Sequence, residues 1–325
     1  MKYKEAGVDI DKADAFKRYI KKLSKSIGGF GGIFDVPKGY KHPTLIASAD
    51  GVGTKLKIAN LLGIHDTVGE DLVNHCVDDI LTLGAKPLYF MDYIGTGKLN
   101  LSQLQEVIQG IARGCEKNNI LLLGGETAEL PGFYRNEEYD LVGFITGIVE
   151  KGNLIDGKKI APGDKVVGLS SNGLHTNGYS LVRKIIHDKK LNLNLKIKDL
   201  GCTLGDELLK IHRSYKDLLT PFLSKVKGLA HITGGGFYGN IPRIMPKGVG
   251  VRIYKDSWLV PPIFKLIQRE GKVTEDEMFH VFNMGIGMVA VIDMECLSLL
   301  KQAKEKIWLI GEVKKGEGVE IIDSK

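Results

Sequence analysis

Apolar and polar positions along this chain follow two periods, and the switches between them outline its elements. Residues 12–24 place Ala13, Phe16, Ile20 and Leu23 on one helical face, with Asp9 or Asp11 available as the cap. A glycine loop, Gly28-Gly29-Phe30-Gly31-Gly32, follows, and residues 44–50 then read as a strand. Helical spacing returns over 70–83 through Leu72, Cys76, Ile80 and Leu83, and strand-like residues 88–94 come next. The spacing predicts a further helix over 102–118, opened by Ser102 and Gln105 as a capping box and burying Leu104, Ile108, Ile111 and Cys115. Strands at 120–123 and 141–149 complete this half.

Pro162-Gly163-Asp164 reads as a turn, and a new strand starts at Lys165. The boundary between two domains is therefore expected near 165, giving 1–165 and 166–325 with a short linker. The second half predicts helices at 178–188, 206–219 and 261–269. Its strands are expected at 165–170, 249–254, 286–292, 308–313 and 319–322. The class is α/β or α+β, which periodicity alone does not separate.

Composition narrows the function classes. The 325 residues are 43% apolar and 26% charged, enough for two cores and too apolar for global disorder. The net charge of +6 suits anionic small molecules as well as nucleic acid and does not choose between them. Lysines are scattered and aromatics do not interleave with them, so no nucleic-acid partner is expected. Cys76, Cys115, Cys202 and Cys296 show no metal-ligand spacing and read as buried free thiols of a reducing compartment. With no apolar signal core at the N-terminus and no run near the ~20 residues a membrane span needs, a soluble, cytoplasmic protein is expected.

The candidate chemistry starts at Asp50-Gly51-Val52-Gly53-Thr54-Lys55. An acid at a strand end can hold a metal ion, small residues let backbone N–H groups approach phosphate, and a lysine can neutralise it. The run is not a P-loop, because Gly51 and Gly53 stand too close together. Asp78 and Asp79 lie within an apolar helical pattern. Glu126, with Glu129 nearby, follows Leu121-Leu122-Leu123-Gly124-Gly125. Such carboxylates could converge on magnesium bridging triphosphate oxygens, or serve as helix caps and ordinary ion-pair partners. The 28–32 loop could lay bare backbone against a nucleotide or simply join helix to strand.

Two later loops add candidates. Ser170–Gly178 gathers hydroxyls, amides and His175 between a strand and a helix; it suits an anion or a proton transfer, or is a polar turn with Asn177 as N-cap. Gly234-Gly235-Gly236-Phe237-Tyr238-Gly239 has the form G-x-G-x-x-G, with Asp256 at the distance a dinucleotide fingerprint wants. The preceding Ala230-His231-Ile232 is a poor first strand and Pro242 interrupts the expected helix, so a phosphate-contacting or tight-packing turn is the better reading.

Together these motifs resemble the aminoimidazole ribonucleotide synthetase, or phosphoribosylformylglycinamidine cyclo-ligase, family. The matching runs are Ala6–Ile10, the 28–32 loop, Asp50–Lys55, His65-Asp66-Thr67, Asp92-Tyr93, Thr96–Leu99, Gly124–Glu129, Gly173–Gly178, His231–Gly236 and Phe282-Asn283. They span nearly the whole chain in order. Selenophosphate synthetases share the architecture but carry a reactive residue near the N-terminal glycine loop, whereas the first cysteine here is Cys76. The resemblance implies a two-domain α/β (α+β) fold, a homodimer whose N-terminal sheets form a barrel, and a C-terminal α/β domain. It implies use of ATP with Mg2+ and formylglycinamidine ribonucleotide as substrate. It further implies Asp50, Asp79 and Glu126 at the metal, and Gly31, Gly32, Thr54 and Lys55 at the nucleotide. Lys21 would sit near the phosphates, His175 would transfer a proton or orient substrate, and Asn177 with Gly234, Gly235 and Gly236 would line the substrate site. The chain departs from the family at Asp78 (usually Asn), at Ile211-His212-Arg213 (usually Pro-Thr-Arg) and at Met284 (usually Cys). A nicotinamide-dependent oxidoreductase using the 234–239 turn and a non-catalytic nucleotide-binding subunit are the rival readings.

Overall fold

The computed structural model describes residues 10–23, 31–136, 138–294 and 306–324. The chain divides into two compact units: residues up to Ile80 with Lys86–Glu150, and Leu81–Ala85 with the chain from Lys151 onward. No helix among the described residues is long and apolar enough to cross a membrane.

The first unit runs α1 (Ile10–Leu23), β1 (Pro43–Gly51), α2 (Lys55–Leu62), α3 (Asp66–Leu81), β2 (Lys86–Thr96), α4 (Leu101–Lys117), β3 (Leu121–Glu129) and β4 (Tyr139–Glu150). Its sheet has the order β1-β4-β2-β3, with β2 and β3 parallel and the other pairs antiparallel. The predicted faces of α3 and α4 hold: Leu72, Cys76, Ile80, Leu104, Ile108, Ile111 and Cys115 are all buried. Leu83 instead stands exposed beyond the end of α3. The cap of α4 is Asn100, whose side chain accepts from the Gln103 N–H, and Ser102 donates its hydroxyl to that same amide oxygen, so the capping box is not formed. Asp11 lies inside α1; Asp9, Gly28–Phe30 and Cys296 fall outside the described residues.

Register puts one row of residues across this sheet: Asp50 opposite Gly143, Gly143 opposite Asp92, and Asp92 opposite Gly125. Gly143 carries no side chain where Phe90 and the Cys76 thiol of α3 close in, so this row faces the helices. The adjacent row, Ala49-Phe144-Met91-Gly124, must face the other way, because side chains alternate along each strand. On that outer face Leu45, Met91, Leu121 and Phe144 are exposed, Leu45 to 59% and Phe144 to 46%.

The second unit contains β5 (Lys165–Ser170), α5 (Tyr179–Lys189), α6 (Leu204–Leu208), α7 (Lys216–Leu219), β6 (Val226–His231), α8 (Gly236–Asn240), β7 (Val249–Tyr254), α9 (Pro262–Gly271), α10 (Glu275–Val281), β8 (Ile286–Ile292), β9 (Ile307–Lys315) and β10 (Val319–Ile322). The sheet order is β10-β7-β9-β5-β8-β6, antiparallel except for β10 with β7. Every residue of β8 is buried, which is why it reads as an unbroken apolar run instead of an alternation. Met288, Ala290 and Ile292 of β8 share one core with Val167, Leu169, Leu229, Tyr215 and Leu219.

The helix predicted over 206–219 is two short helices with a non-helical segment between them. Long-range contacts override its helical spacing. Arg213 Nη1 donates to the Ser170 hydroxyl at 2.7 Å, and the Tyr215 hydroxyl donates to the Ser170 carbonyl at 2.8 Å. Helical backbone could not deliver both side chains to the end of β5 while Leu219 stays in the core.

Candidate active site

Asp50 at the end of β1 and Asp79 on α3 both belong to the β1–α3 junction. The Ser48 hydroxyl donates to Asp79 Oδ2 at 3.1 Å, and the Gly51 N–H donates to Asp50 Oδ1 at 2.7 Å. His75 joins them: its Nε2 lies 2.9 Å from Asp50 Oδ2. Burial pulls this imidazole's pKa down. Its hydrogen bond to Asp50 and the charges of Asp50, Asp79 and Asp71 outweigh burial, and the net shift is upward. The Asp50 side chain remains 45% exposed and Asp79 is half-buried. Carboxylates steered by neighbouring donors offer the hard oxygen ligands that magnesium takes, so the donor chemistry fits that ion. Asp78, one position before Asp79, is fully buried.

His75 was missed by the sequence reading, although a signal existed. Asp71, His75 and Asp79 recur every four residues and therefore share a face of α3.

Lys55 stands apart from its expected place. It opens α2 as a fully buried residue, and its ammonium lies 2.7 Å from Asp71 Oδ2, itself fully buried. Burial pushes the ammonium's pKa down and Asp71 opposes that shift. In this state Lys55 neutralises a core carboxylate and does not face a phosphate. Thr54 is the N-cap residue of α2, without a side-chain capping bond.

Glu126 is not brought to Asp50 within one chain. β3 continues through Gly124 and Gly125, so Glu126 is a mid-strand residue opposite Tyr93. It lies three strands from Asp50, about 14 Å at ordinary strand spacing, and alternation turns it to the outer face. Lys21 is exposed in the last turn of α1, and among the described residues no contact ties it to Asp50. Gly32 packs against Leu123 of β3 closely enough that a Cβ would overlap that side chain, whereas Gly31 has open space around it.

In the second unit the 171–177 loop is held from several sides. Ser171 donates its hydroxyl to Asn283 Oδ1 at 3.0 Å, and Asn283 Nδ2 donates to the Gly173 carbonyl at 3.0 Å. His175 has a positive φ of 60° and is 1% exposed. Its Nε2 accepts the Asn172 N–H at 3.1 Å and, more weakly, the Arg213 N–H at 3.5 Å. The ring rests on Gly287, where any Cβ would overlap it. Asn177 is not the N-cap of α5; Gly178 is, in the left-handed conformation.

The glycine turn after β6 meets this loop, for Asn177 Oδ1 is 3.5 Å from where a Gly234 Cβ would stand. Gly236 has φ +55°, and a side chain there would overlap the Phe279 carbonyl. β6 pairs antiparallel with β8, and α8 spans five residues, so the parallel βαβ unit of a dinucleotide fingerprint is absent here.

This architecture has known counterparts. The family model for the N-terminal domain of AIR synthase related protein matches residues 32–149, and its C-terminal counterpart matches 161–324. The chain belongs to the AIR synthase related protein family. The phosphoribosylformylglycinamidine cyclo-ligase of Caldanaerobacter subterraneus subsp. tengcongensis is 52% identical, covering 98% of this chain and 99% of its own. Among solved structures, thiamine-monophosphate kinase from Stenotrophomonas maltophilia K279a has a TM-score of 0.67 at 15% identity, over 95% of this chain and 94% of its own. The hydrogenase maturation protein HypE in complex with ATP has a TM-score of 0.64 at 16% identity, over 92% and 84%. At such identities the two structures establish the shared fold. The two-domain AIR synthase-like architecture expected from the sequence is thus the one found.

Proposed function

We infer that this chain catalyses the reaction of its cyclo-ligase relatives: ATP-dependent closure of formylglycinamidine ribonucleotide to 5-aminoimidazole ribonucleotide, with release of ADP and phosphate, in purine biosynthesis. Identity of 52% over essentially the full length of a relative so named supports the activity. The single structural observation behind the site assignment is the Asp50–His75–Asp79 cluster at the β1–α3 junction.

The chemistry sets the demands. The formyl carbon is a poor electrophile and its oxygen a poor leaving group. Transfer of the γ-phosphoryl group of ATP to that oxygen releases ADP and cures both faults. The amidine-side nitrogen then bonds to the formyl carbon, the carbon–oxygen bond breaks, and phosphate departs. The protein's contribution is mainly to align these reactants and to stabilise charge.

In this reading Asp50 and Asp79 hold Mg2+, whose chemistry is to neutralise triphosphate oxygens. His75 orients Asp50. Gly31, Gly32 and Thr54 lie along the nucleotide. Lys21 reaches the phosphates as a surface cation. Glu126 serves from the outer face, toward a second subunit. Asn177 and Gly234–Gly236 receive the ribonucleotide. His175 orients the substrate loop: with Nε2 accepting backbone N–H groups, it is better suited to hold that loop than to shuttle protons. The exposed apolar face of the first sheet supports a homodimer joined there. Buried thiols at Cys76 and Cys115 support a reducing, cytoplasmic setting.

Purified protein should form ADP only when formylglycinamidine ribonucleotide is supplied; equal ATP turnover without it would overturn the activity. Asp50→Asn should abolish turnover with an unchanged circular dichroism spectrum, and near-normal turnover would remove Asp50 from the site.

A further inference from the structure

Three buried histidines lie together in the second unit, and they come from three separate segments. His175 belongs to the 171–177 loop, His212 to the non-helical stretch between α6 and α7, and His231 to the end of β6. His175 and His212 stack with ring centroids 4.0 Å apart, and His212 meets His231 nearly edge-on at 5.0 Å. The polar contacts run through His212. Its Nε2 lies 3.0 Å from His231 Nε2, and its Nδ1 lies 3.4 Å from the Thr176 hydroxyl.

We propose that His212 is a positioning residue that locks the 171–177 loop to the 231–236 turn and so sets the ribonucleotide site. This rests on the functional reading of those two segments. Thr176 precedes Asn177, and His231 leads into Gly234, which lies within van der Waals reach of the Asn177 side chain. One imidazole therefore ties both halves of that contact. A 3.0 Å separation of two ring nitrogens holds one shared proton. If His212 Nε2 carries it, Nδ1 accepts from the Thr176 hydroxyl. If His231 carries it, His212 is protonated at Nδ1 and donates to Thr176. In both arrangements both His212 nitrogens are paired in a site closed to water, where losing one partner costs more than the bond itself contributes.

A shared metal ion is the competing explanation, because the three histidines can each bring a nitrogen within 4.8 Å of the others. The geometry disfavours it. The His175 and His212 rings lie face to face in planes only 27° apart, and the His175 Nε2 lone pair already faces backbone N–H groups, whereas the His212–His231 nitrogen pair sits at hydrogen-bond distance.

The test uses the full-length enzyme with His212→Leu, which removes both contacts at similar volume, and His212→Gln, which restores a group at the Nε2 position. H212L should raise KM for formylglycinamidine ribonucleotide about tenfold, while KM for ATP and kcat move less than about twofold. H212Q should recover most of that loss. Wild type should also show a downfield, slowly exchanging imidazole N–H resonance that H212L lacks. Equal loss in both KM values and kcat, with no recovery in H212Q, would reduce His212 to a packing residue and overturn the proposal. So would an unchanged ribonucleotide KM in H212L, or stoichiometric zinc binding by wild type that H212L abolishes. Wild type without ring-closing activity would instead defeat the functional reading. Calorimetric titration of the ribonucleotide into wild type and H212L then decides this one: tenfold weaker binding in H212L upholds it, and equal binding overturns it.

Discussion

His75 Nε2 lies 2.9 Å from Asp50 Oδ2, so a buried helix residue aims a carboxylate at the end of the first strand. The imidazole is nearly enclosed, while the carboxylate is half open. Removing an orienting partner of this kind typically costs 10–100-fold in metal affinity or activity. His75→Leu should therefore lower kcat/KM for ATP by roughly that factor. The raised pKa also has a stability signature. His75 favours its protonated form in the fold, so its contribution is full below the unfolded value of about 6.5 and is lost as pH rises through the higher folded value. Melting curves should show wild type losing its advantage over H75L as pH climbs above about 6.5. A pH-independent difference would contradict the charge assignment.

Lys55 and Asp71 make a fully buried ion pair, and its two members should behave very differently alone and together. Lys55→Met removes the ammonium that faces Asp71 in the core, a change worth up to about 3–5 kcal/mol of stability. Adding Asp71→Leu should recover most of that loss, since apolar replacement of a buried pair is often neutral. Denaturant titration of the two single variants and the double variant measures this. The double variant should also regain much of its ATP turnover; a stable but inactive double variant would return Lys55 to the phosphates.

Asp92 sits 6% exposed beneath the sheet, its Oδ1 over the bare Gly125. Burial raises its carboxyl to about 7, with its own backbone N–H pulling the other way and Glu126 adding to the rise. The sign is opposite to that of a salt-bridged acid. Between about pH 4 and 7 the folded state binds the extra proton, so stability falls as pH rises through this window. Asp92→Asn should unfold at higher denaturant concentration than wild type at pH 8, by up to about 4 kcal/mol, and the gap should close toward pH 4. A constant gap between pH 4 and 8 would show that Asp92 does not titrate there.

The acids at the first site were legible because they stand at recognisable places: Asp50 at the end of an alternating strand, Asp79 within a helical apolar pattern. The same reading misplaced Glu126. Gly124-Gly125 looked like a strand end, yet in the fold the strand runs on, because Asp92 lies over Gly125 and needs no side chain there. Helices α3, α4, α5 and α9 were legible from spacing alone. The stretch from Leu209 to Tyr215 was not, since its conformation depends on Ser170, more than forty residues away, through Arg213 and Tyr215. His212 was visible only as a departure from a family pattern; its contact with His231 joins positions 19 apart and has no local signature.

Phe144 faces Ala49 on one side and Met91 on the other, at the middle of a sheet face whose apolar residues point outward. Strand β1 makes the case plainly. Its alternation places Leu45, Ala47 and Ala49 outward, while Ser48 and Asp50 turn toward the helices. In a lone molecule this is the wrong way round, because the apolar side would stay wet. A second copy covering that face would remove it from water and would leave the Ser48 and Asp50 row on the helix side untouched. Phe144→Asp puts a carboxylate at the centre of such an interface, where it could stay neither hydrated nor paired. Light scattering should find wild type at twice the chain mass and F144D at 35.7 kDa. The helix-facing row is untouched by that change, so F144D should keep its secondary structure. A dimer that persists in F144D would place the contact between copies on some other surface.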